Sequence, residues 1–303
     1  MTIRNLLTSS KPLGWLFSSI VITTLFGCGT QTKMEDKTSQ FKMIEERIGG
    51  RLGLAAFDLE KKKVLYYNQD ERFLMASTVK LLLVAYVLHR VDQGKESLNR
   101  VLPFTSANLV GHSPVTSKMA NKGGMKIEDL CAAAIQWSDN TAANVLFKAD
   151  GGPLGLTSFL RSTGDQETRS DRIEPFLNDS IRGKELDTTT PKAMASTIEK
   201  LIFGKVLSAN LQMKLKEWML KSQTGGNRLK AGLPPGWTIG DKTGTGDNGL
   251  TNDVGVIFPA DGSPIVISSF ISDSKSSQAE LEKALSEVAR IVAEVNGSSQ
   301  NKN

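Results

Sequence analysis

The middle of the chain, from about residue 76 to 220, carries apolar positions at helical spacing almost throughout. The segments with this spacing are TVKLLLVAYVLHRV, IEDLCAAAIQW, TAANVLFKA, LTSFLRST, PKAMASTIEKLI and NLQMKLKEWML. An irregular stretch, GDQETRSDRIEPFLNDSIRGKELDTTT, separates LTSFLRST from PKAMASTIEKLI. The pattern therefore predicts an all-helical lobe that contains one long loop.

Strand-like patterns stand on both sides of this helical region. RLGLAAFDL and VLYYNQ, separated by EKKK, predict a β-hairpin, and the preceding FKMIEERIGG predicts a short amphipathic helix ended by glycine. Strands return in WTIGDKT, TNDVGVIFP and PIVISSFIS, and the helix QAELEKALSEVARIVAEV follows them. Strands at both ends with helices between them indicate that the two ends meet in one antiparallel sheet.

The expected fold is α+β: an antiparallel sheet flanked by helices from both termini, plus an all-helical lobe. The seam between the two lobes is the expected place for a functional site. The predicted boundaries are a signal peptide at 1–27, a tether at 28–40, an α/β lobe at 41–75 and 220–297, an all-α lobe at 76–219, and a polar tail at 298–303.

The first residues have the features of an export signal. Arg4 and Lys11 precede an apolar stretch at 13–26, which is too short for a comfortable membrane span. LFGC resembles a bacterial lipobox, although Phe26 is bulkier than the usual residue there. We therefore expect export to the periplasm or cell envelope, with a lipid anchor on Cys28 as the only membrane contact. A plain signal peptide cut nearby is the alternative.

The composition excludes several classes of function. The net charge of +5 is spread along the chain without an arginine-rich run or aromatic-basic interleaving, so no nucleic-acid partner is expected. His89 and His112 are the only histidines, which argues against a zinc site and a Ser-His-Asp triad. We expect no metal and no cofactor. Cys131 has no partner for an internal disulfide and is expected to be a buried thiol.

One Ser-x-x-Lys motif stands out from the four in the chain. Ser77 and Lys80 open an apolar helix, where a spacing of three residues puts both side chains on one face. Such a serine can act as a nucleophile, with the lysine accepting its proton. An N-cap serine with a lysine that reaches solvent is the alternative, but it does not explain a lysine flanked by leucines and valine. The other three pairs fall in polar segments: Ser39/Lys42, Ser272/Lys275 and Ser299/Lys302.

Two further motifs carry candidate chemistry. In WSDNTAAN, Ser138 can shuttle a proton and Asn140 can hold a substrate carbonyl, unless these residues only cap the next helix. In GDKTGTG, Lys242 and Thr243 supply a cation and a hydroxyl at the end of a predicted strand, and Gly244 permits close approach to the backbone. A glycine-rich turn is the alternative there; a phosphate loop is not, since Gly-x-x-x-x-Gly-Lys is absent.

Together the three motifs resemble those of the serine active-site penicillin-recognising enzymes, over roughly residues 41–296. RIEPFLN is similar to the omega loop of class A serine β-lactamases, with Glu174 and Asn178 in the expected places. Arg172 and Asp187 match the ion-paired ends of that loop, which spans 172–187. HSPVT and DTTTP also match this family.

The resemblance implies hydrolysis of penicillins and cephalosporins, and so antibiotic resistance, through an acyl-enzyme on Ser77. The oxyanion hole would consist of the backbone N–H groups of Ser77 and Thr245. Lys80, or Glu174 through a water molecule, would activate the serine. Ser138 would protonate the departing ring nitrogen.

The resemblance also implies how water and substrate are held. Glu174 and Asn178 would hold the water that hydrolyses the acyl-enzyme. The residues implied in binding a small-molecule β-lactam are Asn140 for its side-chain amide and Lys242, Thr243 and Thr245 for its carboxylate. The enzyme is expected to be a monomer.

Two positions depart from the family pattern. Many relatives have a carboxylate-binding arginine on the strand after Lys-Thr-Gly, where this chain has Thr251. Arg228, in the preceding loop with Thr224, is expected to take that role; a solvated loop arginine is the alternative. His112 stands where relatives often have an aromatic residue at the rim of the site.

Other functions of the same motifs stay open at this point. A D-alanyl-D-alanine peptidase would acylate on the same serine but lack the pair formed by Glu174 and Asn178. A non-catalytic lipoprotein that binds or senses β-lactams would be acylated once without turnover.

Overall fold

The computed structural model describes residues 28–181 and 184–297, and their side chains from Lys37 onward. The helices are α1 (Cys28–Ile48), α2 (Val79–Asp92), α3 (Ile127–Gln136), α4 (Asn140–Ala149), α5 (Gly152–Ser162), α6 (Pro191–Ile202), α7 (Ala209–Leu220) and α8 (Gln278–Gly297). The strands are β1 (Arg51–Asp58), β2 (Val64–Tyr67), β3 (Phe73–Leu74), β4 (Val101–Leu102), β5 (Met125–Lys126), β6 (Thr188–Thr189), β7 (Thr238–Thr245), β8 (Thr251–Phe258) and β9 (Ile265–Ser272).

The main sheet joins the two ends of the chain, as predicted. Its strand order is β2-β1-β9-β8-β7 and every neighbouring pair is antiparallel. β1 pairs with β9 from Arg51↔Ser272 to Asp58↔Ile265, although more than 200 residues separate them in the sequence. β7, which contains the Lys-Thr-Gly motif, lies at one edge of the sheet.

The sheet is buried on both faces, so it organises two hydrophobic cores. Alternate residues of β1 show this: Leu52 and Leu54 pack with α1 and α8, whereas Ala55 belongs to the core of the helical lobe. β8 and β9 are buried at seven of their eight positions, which explains their nearly continuous apolar sequence. The α+β architecture and the helical lobe are therefore confirmed, and Cys131 is a buried free thiol.

The first helix differs from the prediction, because it begins at Cys28 rather than near residue 41. Residues 28–40, assigned from their polar sequence to a tether, are helical in the structure. Lys37 is buried there, and its Nζ lies 2.7 Å from Glu294 Oε2 on α8. The polar pattern of residues 28–40 does not reveal this ion pair, because the partner lies on a helix at the other end of the chain.

The segments predicted as a signal peptide, 1–27, and a polar tail, 298–303, lie outside the described residues. Within 28–181 and 184–297, no helix combines the length and apolar character needed to cross a membrane.

Candidate active site

Ser77 lies in a short 3₁₀ turn, Ala76–Thr78, that leads directly into α2. Ala76 has a φ of 46°, in the left-handed region that costs a non-glycine residue about 1–2 kcal/mol. This backbone directs the Ser77 side chain toward the seam between the lobes rather than to a capping position. Ser77 Oγ accepts a hydrogen bond from Lys80 Nζ at 2.8 Å.

Lys80 is fully buried, so the alternative of a lysine that reaches solvent is wrong. Its Nζ lies 2.8 Å from Glu174 Oε1, 2.9 Å from the carbonyl oxygen of Ser138 and 2.5 Å from Asn140 Oδ1. Burial lowers the pKa of Lys80, and the neighbouring Glu174 carboxylate opposes that shift. These acceptors explain how a lysine is tolerated within an apolar helix.

Asp139, rather than Ser138 or Asn140, caps α4. Its Oδ1 accepts a hydrogen bond from the backbone N–H of Ala142 at 2.8 Å, which satisfies the start of the helix. Ser138 has a φ of 56°, and its Oγ accepts a hydrogen bond from Lys242 Nζ at 2.9 Å. Ser138 and Asn140 therefore both face the seam.

Glu174 is the buried carboxylate of the site. Its Oε1 lies 3.3 Å from Ser77 Oγ, and its Oε2 accepts a 2.6 Å hydrogen bond from Asn178 Nδ2. Its backbone is held on both sides by Asn144, which accepts from Glu174 N at 3.0 Å and donates to Glu174 O at 2.9 Å. The sequence reasoning missed Asn144, although it lies four residues after Asn140 and so on the same face of α4.

The loop that carries Glu174 is closed by the predicted ion pair. Arg172 Nε lies 2.6 Å from Asp187 Oδ2. Asp187 Oδ1 also accepts from the backbone N–H groups of Asp171 and Arg172, so one carboxylate fastens both ends of the loop.

Through Gly244, β7 approaches the 3₁₀ turn that carries Ser77. A Cβ at this position would lie 2.8 Å from the carbonyl oxygen of Met75, so only glycine allows this contact. Lys242 is fully buried, and burial together with the nearby Lys80 holds its pKa well below the usual value. The strand thus places a second lysine next to Ser138.

Arg228 is almost fully buried, so the alternative of a solvated loop arginine is wrong. Its Nη1 donates to the carbonyl oxygens of Gly244 at 2.9 Å and Asn252 at 2.8 Å, and its Nη2 donates to Thr245 Oγ1 at 2.7 Å. Thr224 Oγ1 lies 2.6 Å from Thr243 Oγ1 in the same region. The guanidinium therefore reaches the site largely through Thr245.

A cavity of about 300 Å³ opens at the seam in front of these groups. Its lining contains most of the predicted residues and the rim residue His112: Ser77, His112, Ser138, Asn140, Asn178, Thr224, Arg228, Thr243 and Thr245. Lys80, Glu174 and Lys242 lie buried behind the lining. No group of three His, Cys, Asp or Glu side chains arranged for a metal ion occurs in the part of the chain that the structure describes.

Comparison with known proteins agrees with this site. The model of the β-lactamase enzyme family matches residues 36–295. The chain is 42% identical to the β-lactamase OXY-2 of Klebsiella oxytoca, over 83% of this chain and 86% of that protein. It is 38% identical to the β-lactamase CARB-3 of Pseudomonas aeruginosa, over 92% and 96%. An ancestral (GNCA) class A β-lactamase structure superposes with a TM-score of 0.84 at 47% identity, covering 86% of this chain and 99% of that one.

The chain belongs to the class A β-lactamase family. Enzymes of this family hydrolyse the β-lactam ring of penicillins and cephalosporins, and they are generally periplasmic or secreted. The family assignment, the fold and the activity predicted from the sequence are thus confirmed.

Proposed function

We propose that this β-lactamase acts through an acyl-enzyme on Ser77. The Ser77 Oγ bonds to the β-lactam carbonyl carbon, and its proton moves to Lys80 at 2.8 Å or toward Glu174 at 3.3 Å. Burial lowers the pKa of Lys80, which makes the neutral amine that can accept a proton easier to reach. The ring C–N bond then breaks.

The departing ring nitrogen needs a proton, and Ser138 is the proposed donor. Its hydroxyl lies 2.9 Å from Lys242 Nζ and 3.4 Å from Lys80 Nζ, so either lysine can return the proton. The carbonyl oxygen is proposed to sit between the backbone N–H groups of Ser77 and Thr245. The close approach of Gly244 to the nucleophile turn supports this pairing.

Turnover is proposed to depend on Glu174 and Asn178. The carboxylate takes a proton from water as the water oxygen attacks the acyl carbon, and Ser77 leaves with its proton restored. The observation that carries this proposal is the Glu174 carboxylate, buried 3.3 Å from Ser77 Oγ and oriented by Asn178. This carboxylate favours a hydrolase over the two alternatives, a peptidase and a lipoprotein that is acylated only once.

The substrate is proposed to lie along the edge of β7. Lys242, Thr243 and Thr245 bind its carboxylate, with Arg228 acting beside Thr245. Asn140 binds the side-chain amide through the Nδ2 hydrogen that its bond to Gly111 O leaves available. The enzyme is proposed to act as a monomer, because one chain supplies every group of this site.

Stopped-flow hydrolysis of a chromogenic cephalosporin tests the mechanism, with protein that starts after residue 28. Wild type should turn over steadily, whereas Glu174→Ala should show one equivalent of product and then stall, with deacylation slowed by about 10²–10⁴-fold. Glu167→Ala is the matched control, since Glu167 is a half-exposed residue that pairs with Arg72 away from the cavity.

Each outcome decides between the proposals. Steady turnover in the control and a stalled burst in Glu174→Ala support deacylation through Glu174. A stoichiometric burst without turnover in wild type would favour the peptidase or the lipoprotein over the hydrolase. Steady turnover in Glu174→Ala would remove Glu174 from the mechanism.

A further inference from the structure

Asn252 is a fully buried polar residue that the mechanism above does not use. It lies on β8 directly opposite Gly244 in the β7–β8 register. Paired residues of neighbouring strands point to the same face of a sheet, so the Asn252 side chain occupies the face where Gly244 has no side chain. This space lies against the turn that carries Ser77, as the contact between Gly244 and Met75 shows.

The Asn252 amide donates to the backbone of that turn. Its Nδ2 lies 2.9 Å from the carbonyl oxygen of Leu74 and 3.1 Å from that of Met75. The Met75 carbonyl also accepts from Thr78, at 3.2 Å from its backbone N–H and 2.7 Å from its Oγ1. The last peptide before the left-handed Ala76 is therefore held from the sheet as well as from the 3₁₀ turn that leads into α2.

The other atom of the amide indicates why asparagine stands here. Asn252 Oδ1 is buried and accepts no hydrogen bond from the described residues, which is unfavourable in a protein interior. An apolar side chain of similar volume would avoid that cost. The two N–H groups and their carbonyl partners are thus what distinguishes asparagine from leucine at this position.

We propose that Asn252 is a positioning residue for acylation, which acts by fixing the strained turn so that Ser77 Oγ stays beside Lys80. The inference rests on the proposed role of Ser77 as nucleophile. Loss of the amide lets the Leu74–Met75 carbonyls and Ala76 relax, which moves the nucleophile out of line with the bound carbonyl. A displacement of about 1 Å in a reacting group can cost on the order of 10²-fold in rate.

The test measures acylation separately from stability. Steady-state kcat/KM for hydrolysis of a penicillin, which depends only on the steps up to and including acylation, is measured for wild type, Asn252→Ala and Asn252→Ser. Asn296→Ala is the matched control: Asn296 is buried, its Nδ2 donates to Val292 O at 2.8 Å, its Oδ1 also lacks a partner, and it lies on α8 away from the cavity. Thermal unfolding is recorded for each protein.

We expect Asn252→Ala and Asn296→Ala both to lower the melting temperature, but only Asn252→Ala to slow acylation, by at least tenfold. Asn252→Ser, which keeps a hydroxyl on a shorter side chain, should fall between wild type and alanine, and it decides the question if the alanine variant does not fold. Acylation of the Asn252 variants within twofold of wild type would overturn the inference alone. A wild type that neither hydrolyses the penicillin nor gains its mass would overturn the proposed function, and the inference with it.

Discussion

At the scale of single residues, the two buried lysines decide what chemistry the site can perform. Burial lowers the pKa of both Lys80 and Lys242, and for Lys242 the charge of Lys80 adds to the effect. Both lysines reach Ser138 Oγ, so a positive charge on Lys80 makes a second positive charge on Lys242 less favourable. The proposed mechanism takes a proton from one hydroxyl and returns it through another, and it benefits from this balance.

Arg228 supports a prediction at this scale. Arg228→Ala removes the bond to Thr245 Oγ1 and the cation nearest to that hydroxyl, so we expect KM for a penicillin to rise about tenfold, equivalent to ~1.4 kcal/mol. Steady-state kinetics check it. The same variant leaves the Gly244 and Asn252 carbonyls without their Nη1 donor, which should lower stability by about 1–3 kcal/mol.

The substrate provides the control for Arg228. A methyl ester of the same penicillin lacks the carboxylate, so its KM should be nearly equal in wild type and Arg228→Ala. An equal rise for acid and ester would mean that Arg228 supports only the fold of the strand.

At the scale of elements, the contact between β7 and the 3₁₀ turn that carries Ser77 decides whether the site assembles. Gly244→Ala would place a Cβ 2.8 Å from Met75 O and 3.3 Å from the Ala76 Cβ. Separation of the two elements should cost about 1–3 kcal/mol of stability and most of the activity. Gly297→Ala serves as the control because no atom lies within 4 Å of its added Cβ. Unchanged kcat/KM in Gly244→Ala would contradict the close contact.

Two buried aspartates link β7, β8 and the loop that carries Arg228. Asp241 and Asp253 lie on the same face of neighbouring strands, and the backbone N–H of Leu229 donates to Asp253 Oδ2 at 3.2 Å. Burial raises the pKa of both carboxyls, and in Asp253 the charge of Asp241 raises it further. Lys242 and Lys230 oppose the shift at Asp241, and Arg228 and Lys242 oppose it at Asp253.

These directions predict how stability depends on pH. The folded protein keeps protons that the unfolded chain releases above the usual aspartate pKa of 3.8, so these carboxyls make the free energy of unfolding fall as pH rises from about 4 toward their folded-state pKa. Asp253→Asn removes one such group. Urea unfolding at a series of pH values should therefore show that the free energy of unfolding falls less with rising pH in Asp253→Asn than in wild type. Asp241→Asn should differ from wild type in the same direction. Parallel curves for wild type and both variants would contradict the prediction.

At the scale of the whole molecule, the first helix ties the N-terminal region to the body of the enzyme. α1 begins at Cys28, and the buried Lys37 pairs with Glu294 on α8. We propose that the enzyme is exported and lipid-anchored through Cys28, since the LFGC sequence supports lipidation.

Cell fractionation checks the anchor. The full chain expressed in a bacterium should sediment with the membranes, and Cys28→Ser should either accumulate as uncleaved precursor or appear in the soluble envelope fraction. Cys131→Ser is the control, because Cys131 is a buried thiol in the helical lobe. Soluble mature protein from the unmutated chain would favour the plain signal peptide.

The sequence by itself determined the types of element and indicated candidate residues for the site. Helical and strand periods report local burial, and the predicted strands of the sheet and helices of the lobe are present at nearly the expected positions. The resemblance to the family supplied the residues of the omega loop, which local patterning shows only as irregular.

Only the tertiary structure decided how distant groups meet. The start of α1, the backbone clamp of Asn144 on Glu174, the partners of Arg228 and the amide of Asn252 all depend on contacts between residues that are far apart in the sequence. Periodicity records which face of an element is buried but not which neighbour covers it. The lysine in the apolar helix shows the difference: the sequence marks Lys80 as unusual, and its acceptors come from two other segments of the chain.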